Sequence, residues 1–234
     1  MTAAPDPKAA TALSVGLGFV AGYVDTVGFV ALFGLFTAHV TGNFVLIGAA
    51  LAHSSGSVLL KLLVFPAFVL AVAATRLIVL ALDRRGKPAL RPLLVLQLVL
   101  LGGFAGLGVI ASPVLQADAP LAMWAGVVGA AAMGVQNAAA RLVLPTLTPT
   151  TVMTGNVTQL VIDVVDLLRG GADDATRKRS VKFVGPIIAF GAGAIGGAFG
   201  YVHAGFPALL APMLVIAWLA VAQTRAPAPV AAPV

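Results

Sequence analysis

The sequence predicts an all-α membrane protein with about six transmembrane helices and two short broken or re-entrant helices, arranged as two inverted repeats of three spans. Three observations predict it: 60% of the 234 residues are hydrophobic, only 9% are charged, and a pair of short motifs recurs in the two halves. A soluble domain carries about 25% charged residues, so this chain lacks the polar side chains to cover a water-facing surface.

Six apolar stretches are each close to the roughly 20 residues that cross about 30 Å of hydrocarbon as a helix. Two others differ: residues 40–52 are too short to cross, and residues 151–168 contain several polar side chains. We expect these two to dip into the membrane and return on the same side. The predicted spans are residues 13–35, 58–82, 93–112, 121–144, 181–202 and 206–222.

The recurring motifs stand at nearly the same spacing in each half. Residues 22–25 (GYVD) precede residues 40–43 (VTGN), and residues 134–137 (GVQN) precede residues 153–156 (MTGN). This matched order favours duplication over chance recurrence. The predicted organisation is a cytoplasmic N-terminal tail (1–12), two membrane repeats (13–112 and 113–223) and a disordered Ala/Pro-rich tail (224–234).

The distribution of Lys and Arg predicts the topology. With six crossings, all but one of the 14 Lys and Arg residues fall on one side, and the exception is Lys61. Eight crossings would divide them almost evenly, so the positive-inside rule favours six spans with both termini cytoplasmic. Three spans per half is an odd number, which means that the second half enters the membrane upside down. Inverted repeats with matching interrupted helices are typical of secondary transporters.

Asp25 lies near the middle of the first predicted span. A carboxylate at the bilayer centre costs roughly 2.5–3.5 kcal/mol on insertion scales, so it requires a partner, water or a proton. One interpretation is a site that couples transport to a proton or cation. The other is a structural carboxyl group hydrogen-bonded between helices.

The two Thr-Gly-Asn motifs each begin one of the short helices. Thr and Asn are good helix N-caps, and a helix that begins at membrane depth directs unpaired N–H groups into the protein. We expect the two short helices to meet halfway through the membrane and bind a polar or anionic solute; simple capping and close packing is the alternative. The predicted solute-binding residues are Thr41, Gly42, Asn43, Gln136, Asn137, Thr154, Gly155 and Asn156.

Other chemistries are not indicated by the sequence. The histidines at 39, 53 and 203 lack the spacing of a metal site, and no nucleophile set of an enzyme is present. The net charge of +6 is spread in short clusters between apolar runs, which argues against nucleic acid. We therefore expect no metal, no cofactor and no catalysis. The expected partners are the lipid bilayer and a small-molecule solute, and a homo-oligomer is compatible with the sequence.

The motif set resembles the YoaK-like family of bacterial membrane proteins, whose domain is of unknown function. The resemblance is carried by residues 22–25, 40–43, 134–138 and 150–156, and it extends from about residue 10 to residue 223. The second motif often ends in Thr in that family, so Asn156 makes the two halves more alike here. The resemblance implies a bacterial inner-membrane protein and supplies no substrate.

Together these observations favour a secondary transporter or permease for a small polar or anionic solute, with Asp25 as the coupling site. Two alternatives stay open. A passive channel or facilitator would use the same pore-lining groups and would tolerate loss of Asp25. A non-transporting membrane scaffold would have no cavity near the motifs.

Overall fold

The computed structural model describes residues 7–53, 58–171 and 173–223, and these fold into helices joined by short connections. The predicted all-α membrane fold is confirmed. A 3₁₀ turn, Phe206–Leu209, leads directly into the last helix. The helices are α1 (Pro7–Ala31), α2 (Gly42–His53), α3 (Val58–Asp83), α4 (Leu90–Ala111), α5 (Pro120–Leu142), α6 (Met153–Leu168), α7 (Asp174–Ala204) and α8 (Leu210–Ala222).

Five helices are long and apolar enough to cross a membrane: α1, α3, α4, α5 and α7. The sixth predicted span is a shorter apolar element, Phe206–Ala222, made of the 3₁₀ turn and α8. At about 1.5 Å per residue it is roughly 25 Å long, slightly less than the hydrocarbon thickness. The two short stretches are helices too, α2 and α6.

The ends of α1 differ from the prediction. The helix begins at Pro7, so half of the predicted tail 1–12 is helical, while the tail 224–234 lies outside the described residues. It ends at Ala31 because Phe33 and Gly34 have left-handed backbones, with φ of 54° and 75°, a conformation that terminates helices. Asp25 is therefore not central in its span; it lies six residues before the end of the helix.

The directions of the helices follow from which residues face each other. Gly18 faces Pro186, and Tyr23 faces Gly197, so α1 and α7 run parallel. We call the end of the bundle where α1 begins, at Pro7, the N side, and the end where α1 stops, at Ala31, the far side.

The second half is inverted relative to the first. Leu17, early in α1, bonds Gln136, late in α5, so these two helices run in opposite directions. Gly126 faces Leu60 and Gly134 faces Phe68, so α3 runs parallel to α5. By the same reasoning α1, α4 and α7 run from the N side to the far side, and α3, α5 and α8 return.

Packing crosses between the halves in a reciprocal way. The most extensive helix contact joins α1 of the first half to α7 of the second, and its counterpart joins α5 of the second half to α3 of the first. Likewise α4 packs on α5, and α8 packs on α1. Neither half has a core of its own, so the two fold as one bundle.

Glycines bring α1 and α7 into backbone contact. A Cβ on Gly22 would collide with the carbonyl of Phe190, and one on Gly193 with the carbonyl of Phe19. Such small-residue crossings stabilise helix pairs in lipid through close packing. Gly191, on another face of α7, has nothing within 4 Å of an added Cβ. Among these glycines, backbone contact with α1 is therefore confined to one face of α7.

The two short helices lie on opposite sides of the bundle. The connection 32–41 turns back into the bundle on the far side, and α2 returns outward along α3, where the ring centroids of Phe44 and Phe65 lie 5.0 Å apart. The connection 143–152 and α6 do the same on the N side, where α6 packs on α7. We call residues 32–41 and 143–152 the first and second break loops.

Among the described residues α2 does not pack against α6. The expectation that the short helices meet halfway through the membrane is therefore wrong. Asp25 and Gln136 contact the break loops six residues before the ends of α1 and α5. Each short helix therefore starts only about one and a half helical turns from the end of the bundle on its own side: the far side for α2 and the N side for α6.

Candidate functional site

Asp25 holds the first break loop by its backbone. Its Oδ1 atom accepts hydrogen bonds from the N–H groups of Thr37 at 2.8 Å and Ala38 at 2.7 Å, and more weakly from that of His39 at 3.4 Å. The side chain is 6% exposed. Hydrogen bonds from backbone N–H groups to a carboxylate are charge-assisted and strong, so Asp25 fastens the loop to α1.

The second carboxyl oxygen of Asp25 faces the imidazole ring of His39. Oδ2 lies 3.3 Å from Nδ1 of His39, whose ring is partly exposed and lies edge-on to Phe36 and Phe190. A proton on either group would change the charge of this pair. The structure pairs His39 with Asp25 because the break loop folds back onto α1.

Asn43 ties the start of α2 to the first break loop. Its side chain, 1% exposed, donates to the carbonyl of Phe36 at 2.8 Å and accepts from the N–H of the same residue at 3.0 Å. The amide thus imitates a peptide group and closes the loop seven residues back. Both polar atoms of the side chain are used.

Asn156 performs the matching task in the second half. Its side chain, 4% exposed, donates to the carbonyl of Pro149 at 2.7 Å, again seven residues back. Proline has no N–H, so the second bond that Asn43 makes has no counterpart. The repeat is therefore real in geometry but weaker in its second copy.

Gln136 joins four segments toward the N side of the bundle. Its Nε2 donates to the carbonyl of Leu17 in α1 at 2.9 Å and to Oγ1 of Thr150 at 3.1 Å, while its Oε1 accepts from Gln97 of α4 at 2.7 Å. Gln97, Gln136 and Thr150 are each at most 2% exposed. Gln136 holds the second break loop from α5, as Asp25 holds the first from α1.

The sequence matched Asp25 with Asn137, and this correspondence is wrong. Asn137 is only partly buried and makes no hydrogen bond to the described residues. One residue along a helix turns the side chain by about 100°, and in the folded chain it is Gln136 that faces its break loop.

The predicted binding residues form two separate clusters. Asn43 lies with Asp25 on the far side, whereas Gln136 and Asn156 lie by the second break loop. Thr41 and Thr154 are exposed, Gly42 is partly exposed, and a Cβ on Gly155 would meet nothing within 4 Å. The motif residues therefore shape the helix breaks rather than line one common pocket.

A cavity of about 390 Å³ opens beside the second break loop, near the N side, between α1 and α7. It was not predicted. Its polar lining residues come from α1, the loop and α7, and they are Thr11, Ser14, Thr146, Thr148 and Lys182. Thr148 and Ser14 line the cavity, whereas Gln136 bonds Thr150, two residues further along the loop, and Leu17, about one turn further along α1. Gln136 therefore lies about one turn deeper in the bundle than the cavity.

Pro186 explains how the second break loop is attached to α7. A proline inside a helix removes the hydrogen bond to the carbonyl four residues earlier, here that of Lys182. The hydroxyl of Thr148 lies 3.4 Å from this carbonyl and donates to it. α3 also contains an internal proline, Pro66.

The equivalent place on the far side is packed. The offset that superposes Asn43 on Asn156 also superposes Leu35 on Thr148. Leu35 is completely buried and packs against Gly126 together with Leu60. Where the N side has a cavity lined by hydroxyls, the far side has an apolar plug, which we define as Leu35, Leu60 and Gly126.

An ion pair between a buried carboxylate and a half-exposed arginine fastens α6. Asp163 is fully buried and receives two hydrogen bonds from Arg179 of α7, from Nη2 at 2.6 Å and from Nε at 2.9 Å, and one from Gln159 at 2.8 Å. Its partner Arg179 lies beyond a connection, in the polar first turns of α7. Among the described residues no group of three or more His, Asp or Glu could hold a metal ion.

Comparison with known proteins gave one match. A family model described as a protein of unknown function, DUF1275, matches residues 13–222, which is consistent with the YoaK-like resemblance. No curated protein and no solved structure matches the chain.

Proposed function

We propose that this chain, which belongs to the DUF1275 family, carries a small polar or anionic solute across a membrane by opening a cavity at one side of the bundle at a time. The observation that carries the proposal is the difference between two equivalent places: a cavity on the N side and an apolar plug on the far side. In inverted repeats, exchange between the conformations of the two halves converts one open side into the other.

The break loops differ in the way this mechanism needs. The first is held by a carboxylate, by both polar atoms of Asn43, and by Lys61 of α3, which donates to the carbonyl of Phe33 at 2.9 Å. The second is held by the neutral groups Gln136 and Asn156. Charge-assisted bonds are roughly twice as strong as neutral ones. This favours a closed far side and a looser N side.

Asp25 is the group that would couple transport to a proton or cation. Its carboxylate is what attaches the first break loop, and its neighbour His39 is partly exposed. Neutralising the carboxylate would convert charge-assisted bonds into weaker ones. Opening of the far side would then depend on the charge of Asp25.

The proposed location is a bacterial inner membrane with the N side in the cytoplasm. The start of α1 and the end of α8 both lie at the N side. Two basic segments lie there too: residues 84–91, between α3 and the first turn of α4, and residues 177–182, in the first turns of α7. The positive-inside rule supports this orientation.

The absence of cysteine provides a direct test of alternating access. Thr148→Cys places a thiol in the cavity, and Leu35→Cys places one in the apolar plug. In proteoliposomes of known orientation, a membrane-impermeant maleimide should label T148C from the N side and leave L35C unlabelled. A defined mixture of small carboxylates, phosphate esters and amino acids should contain a solute that lowers T148C labelling and raises L35C labelling from the far side.

The same proteoliposomes, analysed by mass spectrometry, should accumulate that solute. A channel would label at both positions at once and pass the solute without any exchange of labelling. A scaffold would pass none of the mixture. Either result would overturn the proposed function.

A further inference from the structure

We infer that the N-side cavity binds a small organic monoanion, a carboxylate with a short hydrocarbon body, anchored by Lys182 and Ser14. The biological role of this site rests on the proposed transport function. Three features of the cavity carry the inference: its charge, a serine hydroxyl that is open to the cavity and has no partner in the described chain, and the apolar character of the remaining wall.

Lys182 supplies the one charge among the residues that line the cavity, and no carboxylate lies within 4 Å of it in the described chain. The first turn of α1, with Pro7 and Ala10, also lines it. The N-terminus of a helix carries partial positive charge and favours anions. Both features disfavour a cationic solute.

Ser14 provides the second, independent indication. It is 7% exposed and lines the cavity, yet its hydroxyl makes no hydrogen bond to the described residues. Among the described residues no side-chain N or O atom that is fully shielded from solvent lacks a partner, so the Ser14 hydroxyl is accessible from the cavity that the residue lines. A hydroxyl that is open to a cavity and has no partner in the protein is suited to donate to a bound oxygen.

The apolar residues of the cavity wall fit an organic anion better than a simple inorganic ion. Val15, Leu147, Val181 and Pro186 contribute apolar surface. At about 30 Å³ for each water, the cavity volume corresponds to on the order of a dozen water-sized groups. A small inorganic anion would leave most of this wall against water, whereas a hydrocarbon body of roughly five to ten carbons would cover it. A single lysine matches a single negative charge.

Equilibrium binding of radiolabelled hexanoate to the purified full-length chain tests the site. We expect saturable binding, weaker displacement by acetate, and none by hexylamine. Lys182→Met should lower the affinity about tenfold to a hundredfold, the usual worth of a hydrogen bond to a charged group. Ser14→Ala should lower it about twofold to tenfold. Lys178→Met is the matched control, since Lys178 is on the same helix but does not line the cavity, and it should leave the affinity unchanged.

Three results would overturn the inference. The first is equal binding of hexylamine and hexanoate, and the second is an unchanged hexanoate affinity in both the Lys182→Met and the Ser14→Ala variant. The third is palmitate binding far more tightly than hexanoate, which would identify a bilayer fatty acid as the occupant. The labelling experiment is independent of hexanoate. Hexanoate binding without exchange of labelling would reject transport and keep the site, whereas exchange driven only by other solutes would reject the site and keep transport.

Discussion

Replacing Asn43 by Ala should destabilise the protein about twice as much as replacing Asn156 by Ala. The two side chains occupy equivalent positions and are almost equally buried, at 1% and 4% exposure. The volume removed is the same, so the cost of the cavity left behind is similar in the two variants. What differs is the number of hydrogen bonds that each side chain makes to its break loop.

Asn43→Ala removes two bonds to Phe36, and Asn156→Ala removes one bond to Pro149, together with a weak 3.3 Å contact to the sulfur of Met153. A typical bond contributes about 0.5–1.5 kcal/mol net. The expected hydrogen-bond losses are therefore about 1–3 kcal/mol and about 0.5–1.5 kcal/mol. For a chain of this size a difference of about 1 kcal/mol corresponds to roughly 2–4 °C in the unfolding midpoint.

The assay is thermal unfolding in detergent, followed by the fluorescence of the two tryptophans. A second arm uses Pro149→Ala, which restores an N–H group at position 149. In that background Asn156 gains a possible second partner, so Asn156→Ala should become as costly as Asn43→Ala. Equal midpoint losses for the two single variants, or a larger loss for Asn156→Ala, would refute the assignment of the asymmetry to the missing proline N–H.

Three further outcomes are expected. Gly193→Ala should lower the unfolding midpoint, because overpacking against the α1 backbone costs about 1–3 kcal/mol. Gly191→Ala has open space around it and should raise the midpoint slightly through helix propensity. A rise of the midpoint in both variants would contradict the close crossing. Asp25→Asn keeps an acceptor for the loop N–H groups, so folding should survive while solute uptake stops responding to an imposed pH gradient, and an unchanged response would exclude coupling at this residue. Arg179→Met should release α6, which would appear as faster hydrogen exchange of the α6 amides, while the control Arg177→Met should leave that exchange slow. Slow exchange in both variants would show that the ion pair does not hold α6.

The span pattern could be predicted because lipid imposes a length and a composition on each helix. Hydropathy located the crossing segments, and the count of basic residues predicted the inversion that the parallel pairs α1/α7 and α3/α5 display. Helix limits were less predictable. Leu32 and Leu35 continue the apolar run past the end of α1, and only the left-handed backbone at Phe33 and Gly34 stops the helix.

The candidate site was predictable only in part. The motifs identified the helix breaks, because Asn43 and Asn156 are needed at equivalent turns. They did not reveal the cavity, because Ser14, Thr148 and Lys182 are ordinary residues far apart in sequence, brought together by packing between the halves. The signal that was available is Pro186, since a proline within a span leaves a carbonyl that some other group must satisfy.

The position of Pro186 also divides α7 mechanically. Both links to the second break loop and α6, made by Lys182 and Arg179, lie before the proline, and the backbone crossing with α1 at Gly193 lies after it. Helices bend most readily at an internal proline, so a change in the direction of α7 at Pro186 would move the second break loop and α6 together relative to the glycine crossing. Pro186 itself lines the cavity, so such a movement would change the shape of the cavity directly.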